Sequence, residues 1–547
     1  MGLRPSGKTT TEALDHCPTG GSSANGLLSR NGLGGSCRIC TDKSLQGSDP
    51  TDIPSAVRSV LSNNKVQNPR VSRKACARRV RFHGPTLRRV PDSEQKESEG
   101  IIRVGSCYTC GFFMLRILQL SDIHFGQEKK GEAAHLDDVR GQLISDLGML
   151  LGASKALDLI LITGDIAFSG KKEEYDRAVE WLGELIAVGR CDENAILTIP
   201  GNHDVDVNLI SLSAKQVHAQ LRNSSAETVK HLLHDYTIER DEVNSIFPKL
   251  STYVDFARGY NSEFEQSDVP RWVRYRDIRP GCRLRIVGMC SVQVCDLEDR
   301  QGTMILGDKQ YIFAEDREVV TLVMVHHPMH WFLDRDDAKS HITNRSRVLL
   351  TGHEHVPDLN KLTSLSGEER LEISAGATTD TKPKAPYEFA YNLLELDVLD
   401  SGVLSVTVWP RIWKIQKPSF GADVVMTGGP DSKTITIDCH LAAPPAVTAP
   451  PPRADNVVSQ GTAMQRDETA DFGKLKHFFW HYLTWDQRIA VLVKAGVLPT
   501  SAENRLPQTV ELSALLQAKD AGKLESVWDD IMSFVPKEKI KPNPFKT

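Results

Sequence analysis

Five short polar motifs in this chain bring carboxylate, imidazole and amide oxygen together. They are Asp122-Ile123-His124, Gly164-Asp165, Gly201-Asn202-His203-Asp204, His326-His327-Pro328 and Gly352-His353-Glu354-His355. These are the donor types that a divalent transition metal takes as ligands. Each motif alone is weak, since a lone Asp-x-His usually lies on a surface loop and a lone His after a strand is usually hydrogen-bonded core. Five in order, each directly behind an apolar run, make coincidence a poor competitor. The glycines before Asp165, Asn202 and His353 are expected to permit the tight turns that aim the next side chain. The alternation in Asp122-x-His124 and His353-x-His355 is expected to set two ligands on one side of an extended segment, with Glu354 pointing away.

The elements that must position these residues follow from the apolar runs. LRILQL (115–120), LDLILIT (157–163) and AILTIP (195–200) read as strands, with amphipathic helices over 133–151 and roughly 172–188 between them. CRLRIVGM (282–289), EVVTLVMV (318–325) and RVLLT (347–351) resume the strands, and a β-rich run continues to about residue 413. The polar, helical stretch 207–265 reads as an inserted cap over the site. Together these predict an α/β fold of two sheets packed face to face with helices outside. In such sheets the carboxyl ends of the strands line the ligand crevice, so the five motifs converge on one spot.

Outside this region the texture changes. Residues 1–113 carry 17 Lys and Arg against 9 Asp and Glu, a local +8 in a chain of net charge −5, which leaves −13 for the rest. Their Gly, Ser, Arg and Pro content predicts a disordered segment or an over-long translation start before Met114. Cys37-x-x-Cys40 and Cys107-x-x-Cys110 lie too far apart for an ordinary zinc site. The 11 cysteines, an odd count without framework spacing, fit reduced thiols in a cytoplasm. No apolar run of 18 residues exists, so no membrane partner is expected. APPAVTAPPP opens a Pro/Ala-rich linker over 441–470. Beyond it, Phe478, Tyr482, Ile489 and Leu492, then Leu512, Leu515 and Leu516, then Leu524, Val527, Trp528, Ile531 and Met532 recur at helical spacing. A small all-α domain over 471–547 is expected.

The ordered series D-x-H, G-D, G-N-H-D, H-H-P, G-H-x-H resembles the calcineurin-like metallophosphoesterase superfamily. The resemblance implies a four-layer α/β/β/α sandwich over 114–440 with two metals at the strand ends. It implies that Asp122, His124 and His355 bind the first metal, that Asn202, His326 and His353 bind the second, and that Asp165 bridges both. It also places His203 opposite the substrate as the acid for the leaving group, with Asn202 on the substrate side and His327 either behind the ligands or on the substrate side. Asp204 is open between orienting the His203 ring and capping a helix N-terminus. RIAVLVKAGVL and ESVWDDIMSF in the C-terminal helices resemble death-fold-like adaptor domains appended to bacterial effectors, which implies a protein partner.

Two cations roughly 3.5–4 Å apart acidify a shared water and neutralise phosphate oxygens, so the expected chemistry is phosphoester hydrolysis at neutral pH. The donor set does not choose among Mn, Fe, Zn and Co. LRILQLSDIHFG, GNHD and GHEH resemble bacterial phosphodiester hydrolases, which favours a nucleotide-like small phosphodiester as substrate. The acidic catalytic region disfavours nucleic acid and ranks a nuclease second and a phosphomonoesterase third. The rival of another class is a metal-binding sensor that signals through its helical tail.

Overall fold

The computed structural model describes residues 114–128, 133–238, 248–264, 269–279, 282–314, 316, 319–364, 367–381, 389–399, 401–439, 468–499 and 508–546. The expectations for 1–113, both Cys-x-x-Cys pairs among them, and for the linker over 441–467 lie outside the described residues.

Strands β1 (Leu115–Leu120), β2 (Leu159–Ile162) and β3 (Ile196–Thr198) run parallel, joined by helices α1 (Ala133–Leu151) and α2 (Lys172–Gly189). Helices α3 (Leu212–Arg222), α4 (Ala226–Ile238) and α5 (Ser251–Arg258) follow in the predicted insertion. Strands β4 (Arg271–Arg279), β5 (Cys282–Met289), β6 (Val319–Met324), β7 (Val348–Thr351), β8 (Pro357–Thr363) and β9 (Glu369–Ala375) make a second sheet in the order β4-β5-β6-β7-β9-β8. Its crossovers carry the single-turn α6 (Asp308–Tyr311) and α7 (Arg335–Arg345). The chain then returns to the first sheet with β10 (Ala390–Val398), β11 (Val403–Lys414), β12 (Ser419–Ala422), the short α8 (Val424–Thr427) and β13 (Lys433–Asp438). That sheet has the order β12-β11-β10-β1-β2-β3, with β13 also paired to β11.

The side-chain period of two divides the apolar strands between two cores. Leu115 and Ile117, Leu159 and Leu161, and Leu197 meet Leu284, Ile286, Leu322, Val348 and Leu350 of the other sheet. Their neighbours Leu118, Leu120, Ile160 and Ile162 face outward, under Leu136, Leu143 and Leu147 of α1 and Ala178, Leu182 and Leu185 of α2. On the far side Ala338 and Ile342 of α7 cover Val323 and Leu349. The result is the four-layer α/β/β/α sandwich that the sequence predicts. A slip of one residue would exchange the two cores, so register is fixed by burial. Because β5, β6, β7 and β9 are parallel, their carboxyl ends share one rim.

The insertion is helical, as expected. Its contacts include the end of β3 and residues 293–299. The Tyr253 hydroxyl lies 3.0 Å from Thr198 Oγ1. The fully buried Lys249 ammonium donates to the carbonyls of Gln293 and Cys295 at 2.9 and 2.6 Å.

Helices α9 (Glu468–Tyr482), α10 (Trp485–Lys494), α11 (Gln508–Asp520) and α12 (Leu524–Met532) enclose a core of their own around Leu475, Phe479, Leu492, Leu515, Trp528 and Ile531. Leu516, expected inside by its spacing, is 43 % exposed. These helices are seated on α5 and residues 193–195. Asn194 Nδ2 donates to the Ala470 carbonyl at 3.0 Å, and Lys476 Nζ donates to Asn261 and Glu263 at 2.9 and 2.5 Å. His481 Nε2 donates to the Phe256 carbonyl at 3.0 Å. Gly473 is required here, because a Cβ would run into the Asn194 side chain.

Candidate metal centre

Seven side chains from five strand ends meet at the shared rim. Asp122 and His124 follow β1, Asp165 follows β2, Asn202 follows β3, His326 follows β6, and His353 and His355 follow β7. Asp165 Oδ2 lies 3.4 Å from His124 Nε2 and 3.3 Å from His326 Nε2, so one carboxylate oxygen sits between imidazoles carried by the two sheets. Asn202 Oδ1 lies 3.2 Å from His326 Nε2 and 2.9 Å from His353 Nδ1. His355 Nε2 lies 3.2 Å from Asp122 Oδ1. The potential ligand atoms of Asp122, His124 and His355 lie within 4.8 Å of one another, and so do those of Asp122, Asp165 and His326.

The imidazoles are aimed by what their outer nitrogens hold. His124 Nδ1 donates to the Thr379 carbonyl at 3.2 Å, and His326 Nδ1 donates to the Thr163 carbonyl at 2.7 Å. His355 Nδ1 is 2.7 Å from Asp380 Oδ2, and Gln127 Nε2 donates to the other Asp380 oxygen at 3.0 Å. A ring whose outer N–H is spent on a carbonyl or carboxylate keeps the lone pair of its other nitrogen for a metal. Asp122 Oδ1 is buried and has no partner in hydrogen-bond geometry, only the His355 imidazole at 3.2 Å, as suits a ligand oxygen beside a second ligand. The residues present therefore fit divalent cations.

The backbone around them corrects the reasoning from alternation. Of seven non-glycine residues with positive φ among the described residues, five are Asp122 (52°), His124 (52°), Asp165 (55°), His353 (71°) and His355 (59°). The ligand pairs are set by left-handed turns, not by extended segments, and such backbone costs on the order of 1–3 kcal/mol per residue. Surrounding contacts hold it in place: Ile123 and His124 N–H both donate to the Asp165 carbonyl, at 2.8 and 3.0 Å. Gly201 serves by close approach, not by φ, since a Cβ there would collide with the Asp165 carboxylate.

A second correction concerns Asp204. Its carboxylate accepts from the backbone N–H of Ile166, Ala167 and Gly201 at 3.1, 2.9 and 2.9 Å, and from the Tyr175 hydroxyl at 2.9 Å. It ties the Asp165 loop to the Asn202 loop, and closes the one-turn helix at Asn202 by bonding back to Gly201. It does not orient His203, whose Nδ1 donates to the Phe168 carbonyl at 2.9 Å while its ring stacks on Phe168 at 4.9 Å. His203 does face the centre, its ring 4.9 Å from that of His124. His327 is fully buried, 4.3 Å ring to ring from His353. Glu354 turns away, to His330 Nε2 at 2.8 Å.

A family model for calcineurin-like phosphoesterases matches residues 115–357, the span that supplies all seven of these side chains. Residues 115–357 belong to the calcineurin-like phosphoesterase family. A second model, the GTPase-associated adaptor domain, matches residues 471–533 of this phosphoesterase. No curated protein matches the chain. Among solved structures, a single mutant of Vps29 from Entamoeba histolytica is 10 % identical, with 59 % of this chain and 99 % of that one covered and a TM-score of 0.25. A putative 5′-nucleotidase from Staphylococcus aureus is 10 % identical, covering 54 % and 52 %, with a TM-score of 0.27. The sulfate thiohydrolase SoxB of Thermus thermophilus is 12 % identical, covering 60 % and 58 %, with a TM-score of 0.25. The phosphoesterase thus spans little more than half of the last two.

The electrostatics of the phosphoesterase centre divide its imidazoles. Burial works against ionising Asp122 and Asp165, yet His355 holds Asp122 at about 2, and His326 and His203 hold Asp165 well below the usual carboxylate range. Burial likewise opposes a proton on His326 and His355, but Asp165 raises His326 to about 9 and Asp122 raises His355 to about 10. Burial and the charge of His326 push His353 down to about 3. Cations entering such a site displace the protons of His326 and His355.

Sequence reasoning missed Asp380, Tyr175 and Ser291. Asp380 had a signal: ISAGATTD is a further strand end at the same rim, behind β9. Tyr175 and Ser291 lie inside a helix and behind β5, with no spacing that marks them.

Proposed function

We propose that this phosphoesterase is a dinuclear enzyme that hydrolyses a phosphodiester of a nucleotide-like small molecule. The position of Asp165 Oδ2 between His124 and His326 carries this reading, because one carboxylate oxygen then serves both halves of the donor set. Bound there, two divalent cations supply acidified water and charge neutralisation at the phosphoryl oxygens. The chain does the rest. Asp122 and Asp165 stay ionised across the neutral range, so the carboxylates remain available as ligands. The Phe168 carbonyl takes the Nδ1–H of His203, which leaves Nε2 as the nitrogen that would exchange a proton with the departing alkoxide. The left-handed turns and the pinned outer nitrogens fix the donors before substrate arrives, which removes reorganisation from the reaction. Phe168 stacks on His203, and Trp331 stands edge-on to His353 at 4.2 Å. Both are half-buried at the mouth and offer flat apolar faces to a base.

Purified full-length protein loaded with Mn²⁺ should turn over bis-p-nitrophenyl phosphate and cyclic nucleotides in preference to p-nitrophenyl phosphate. Asp165→Ala should lower turnover by on the order of 10³-fold or more, since it removes a group shared by both cations. A preference for monoesters would overturn the diester assignment, and cleavage of DNA in preference to small diesters would replace it with a nuclease. Tight ligand binding without turnover under any divalent metal would replace the enzyme with a sensor.

A further inference from the structure

We propose that His327 is a ligand of the second metal, giving that site a third imidazole. The inference rests on the dinuclear reading above and adds a residue that the motif pattern leaves on the substrate side.

Three observations carry it. First, the His327 ring is wholly buried and its Nε2 has no hydrogen-bond partner. Leaving a buried polar nitrogen unpaired costs on the order of 1–3 kcal/mol, so such an atom beside a cluster of metal-ligand types calls for a partner. Within the cluster the other such atom is Asp122 Oδ1, a ligand by every other mark. Secondly, the ligand atoms of His326, His327 and His353 lie within 4.8 Å of one another, and the His327 ring lies 4.9 and 4.3 Å from the other two. Thirdly, His327 is held from behind as the other imidazoles are, with Nδ1 2.8 Å from the Ser291 hydroxyl. With that hydroxyl accepting from Nδ1–H, Nε2 keeps its lone pair free for a metal, the arrangement found at His124, His326 and His355.

The consequence is an unequal pair of sites. The first takes Asp122, His124, His355 and Asp165, two carboxylates and two imidazoles. The second takes Asn202, His326, His353, His327 and the shared Asp165, three imidazoles, an amide oxygen and one carboxylate. The nitrogen-rich second site should prefer cobalt, zinc or iron, while the first tolerates manganese better.

The test uses the full-length protein loaded with cobalt(II) and reads metal stoichiometry, affinity and the visible absorption of the bound ions. Wild type should bind two cobalt ions. His327→Ala should weaken one of them by about 10- to 100-fold or more and change the absorption of that ion alone; Ser291→Ala should do the same to a smaller degree. The Ser291 variant keeps the test alive if His327→Ala fails to fold. Two cobalt ions bound by His327→Ala with wild-type affinity and spectrum would overturn the proposal, and a raised KM alone would return His327 to the substrate side. A wild type that binds one ion only would overturn the dinuclear reading itself, and this inference with it.

Discussion

The chain buries two groups of histidines, and they differ in almost everything except burial. At the metal centre, His124, His326, His327, His353 and His355 surround two ionised carboxylates, and the outer nitrogens of His124, His326, His327 and His355 are pinned by carbonyls, a serine hydroxyl or Asp380. Where α9 meets α5, His477 and His481 face each other with Nδ1 atoms 3.0 Å apart, against Phe256, Tyr260 and the backbone. In the first group Asp165 raises His326 and Asp122 raises His355 above the ordinary imidazole range, against the effect of burial. The second is neutral: burial pushes His481 down to about 4, and burial with the neighbouring ring pushes His477 well below its ordinary value. A buried imidazole is thus no sign of a metal in itself. Carboxylates within reach and a lone pair left without a partner make the difference.

The sharpest way to break this comparison is to remove a carboxylate that the metal centre has and the interface lacks. Asp380 holds the outer nitrogen of His355. Asp380→Asn keeps the shape and removes the charge. Metal affinity should fall by about 10- to 100-fold, read by titration of the metal-free protein, while the far-ultraviolet circular dichroism stays unchanged. Unchanged affinity would show that the pinning carboxylate is only structural.

The same contrast explains what was legible in the sequence. The two sheets could be read from LRILQL, LDLILIT and RVLLT because apolar runs of that length have few other uses, and the motifs behind them followed. The reason given for Asp122-x-His124 was wrong, since no alternation rule foresees five ligands in left-handed backbone; that geometry is held by bonds such as His124 N–H to the Asp165 carbonyl, across 41 residues. Asp204 was ambiguous because a carboxylate beside a histidine can face either way. The docking of α9 was invisible, because Lys476, Asn261 and Glu263 form no motif and meet only in three dimensions.

The interface histidines give the next effect, smaller and with a sign that can be worked out. Their folded-state affinity for protons is depressed below the ordinary value near 6.5, so the unfolded chain binds more protons below that pH. The stability they contribute is complete above about pH 6.5 and is lost as pH falls toward 4. Lys172, Arg488 and Lys539 nearby add to the penalty on a proton. Between pH 7 and 5 the C-terminal helices should lose about 1–2 kcal/mol of docking and folding stability. His481→Gln, which can still donate to the Phe256 carbonyl, should flatten the slope of melting temperature against pH. A slope as steep in the variant as in wild type would assign the acid sensitivity to other groups.

Between the two clusters stands one short chain of contacts. The Phe256 ring lies 5.6 Å from His481 on one side and 4.9 Å from Tyr175 on the other, and the Tyr175 hydroxyl donates to Asp204. Tyr175→Phe removes a single hydrogen bond from a buried carboxylate that keeps three backbone donors, so the direct cost should be about 1–2 kcal/mol of stability. The informative quantity is the non-additivity. Sites in contact through a shared ring couple by about 0.5 kcal/mol or more, whereas independent sites add within about 0.3–0.5 kcal/mol. A double-mutant cycle of Tyr175→Phe with His481→Gln, read by denaturant melts of the full chain, should therefore return a coupling clearly above the additive range. Strict additivity would mean that the C-terminal helices and the metal loops share a molecule without feeling one another.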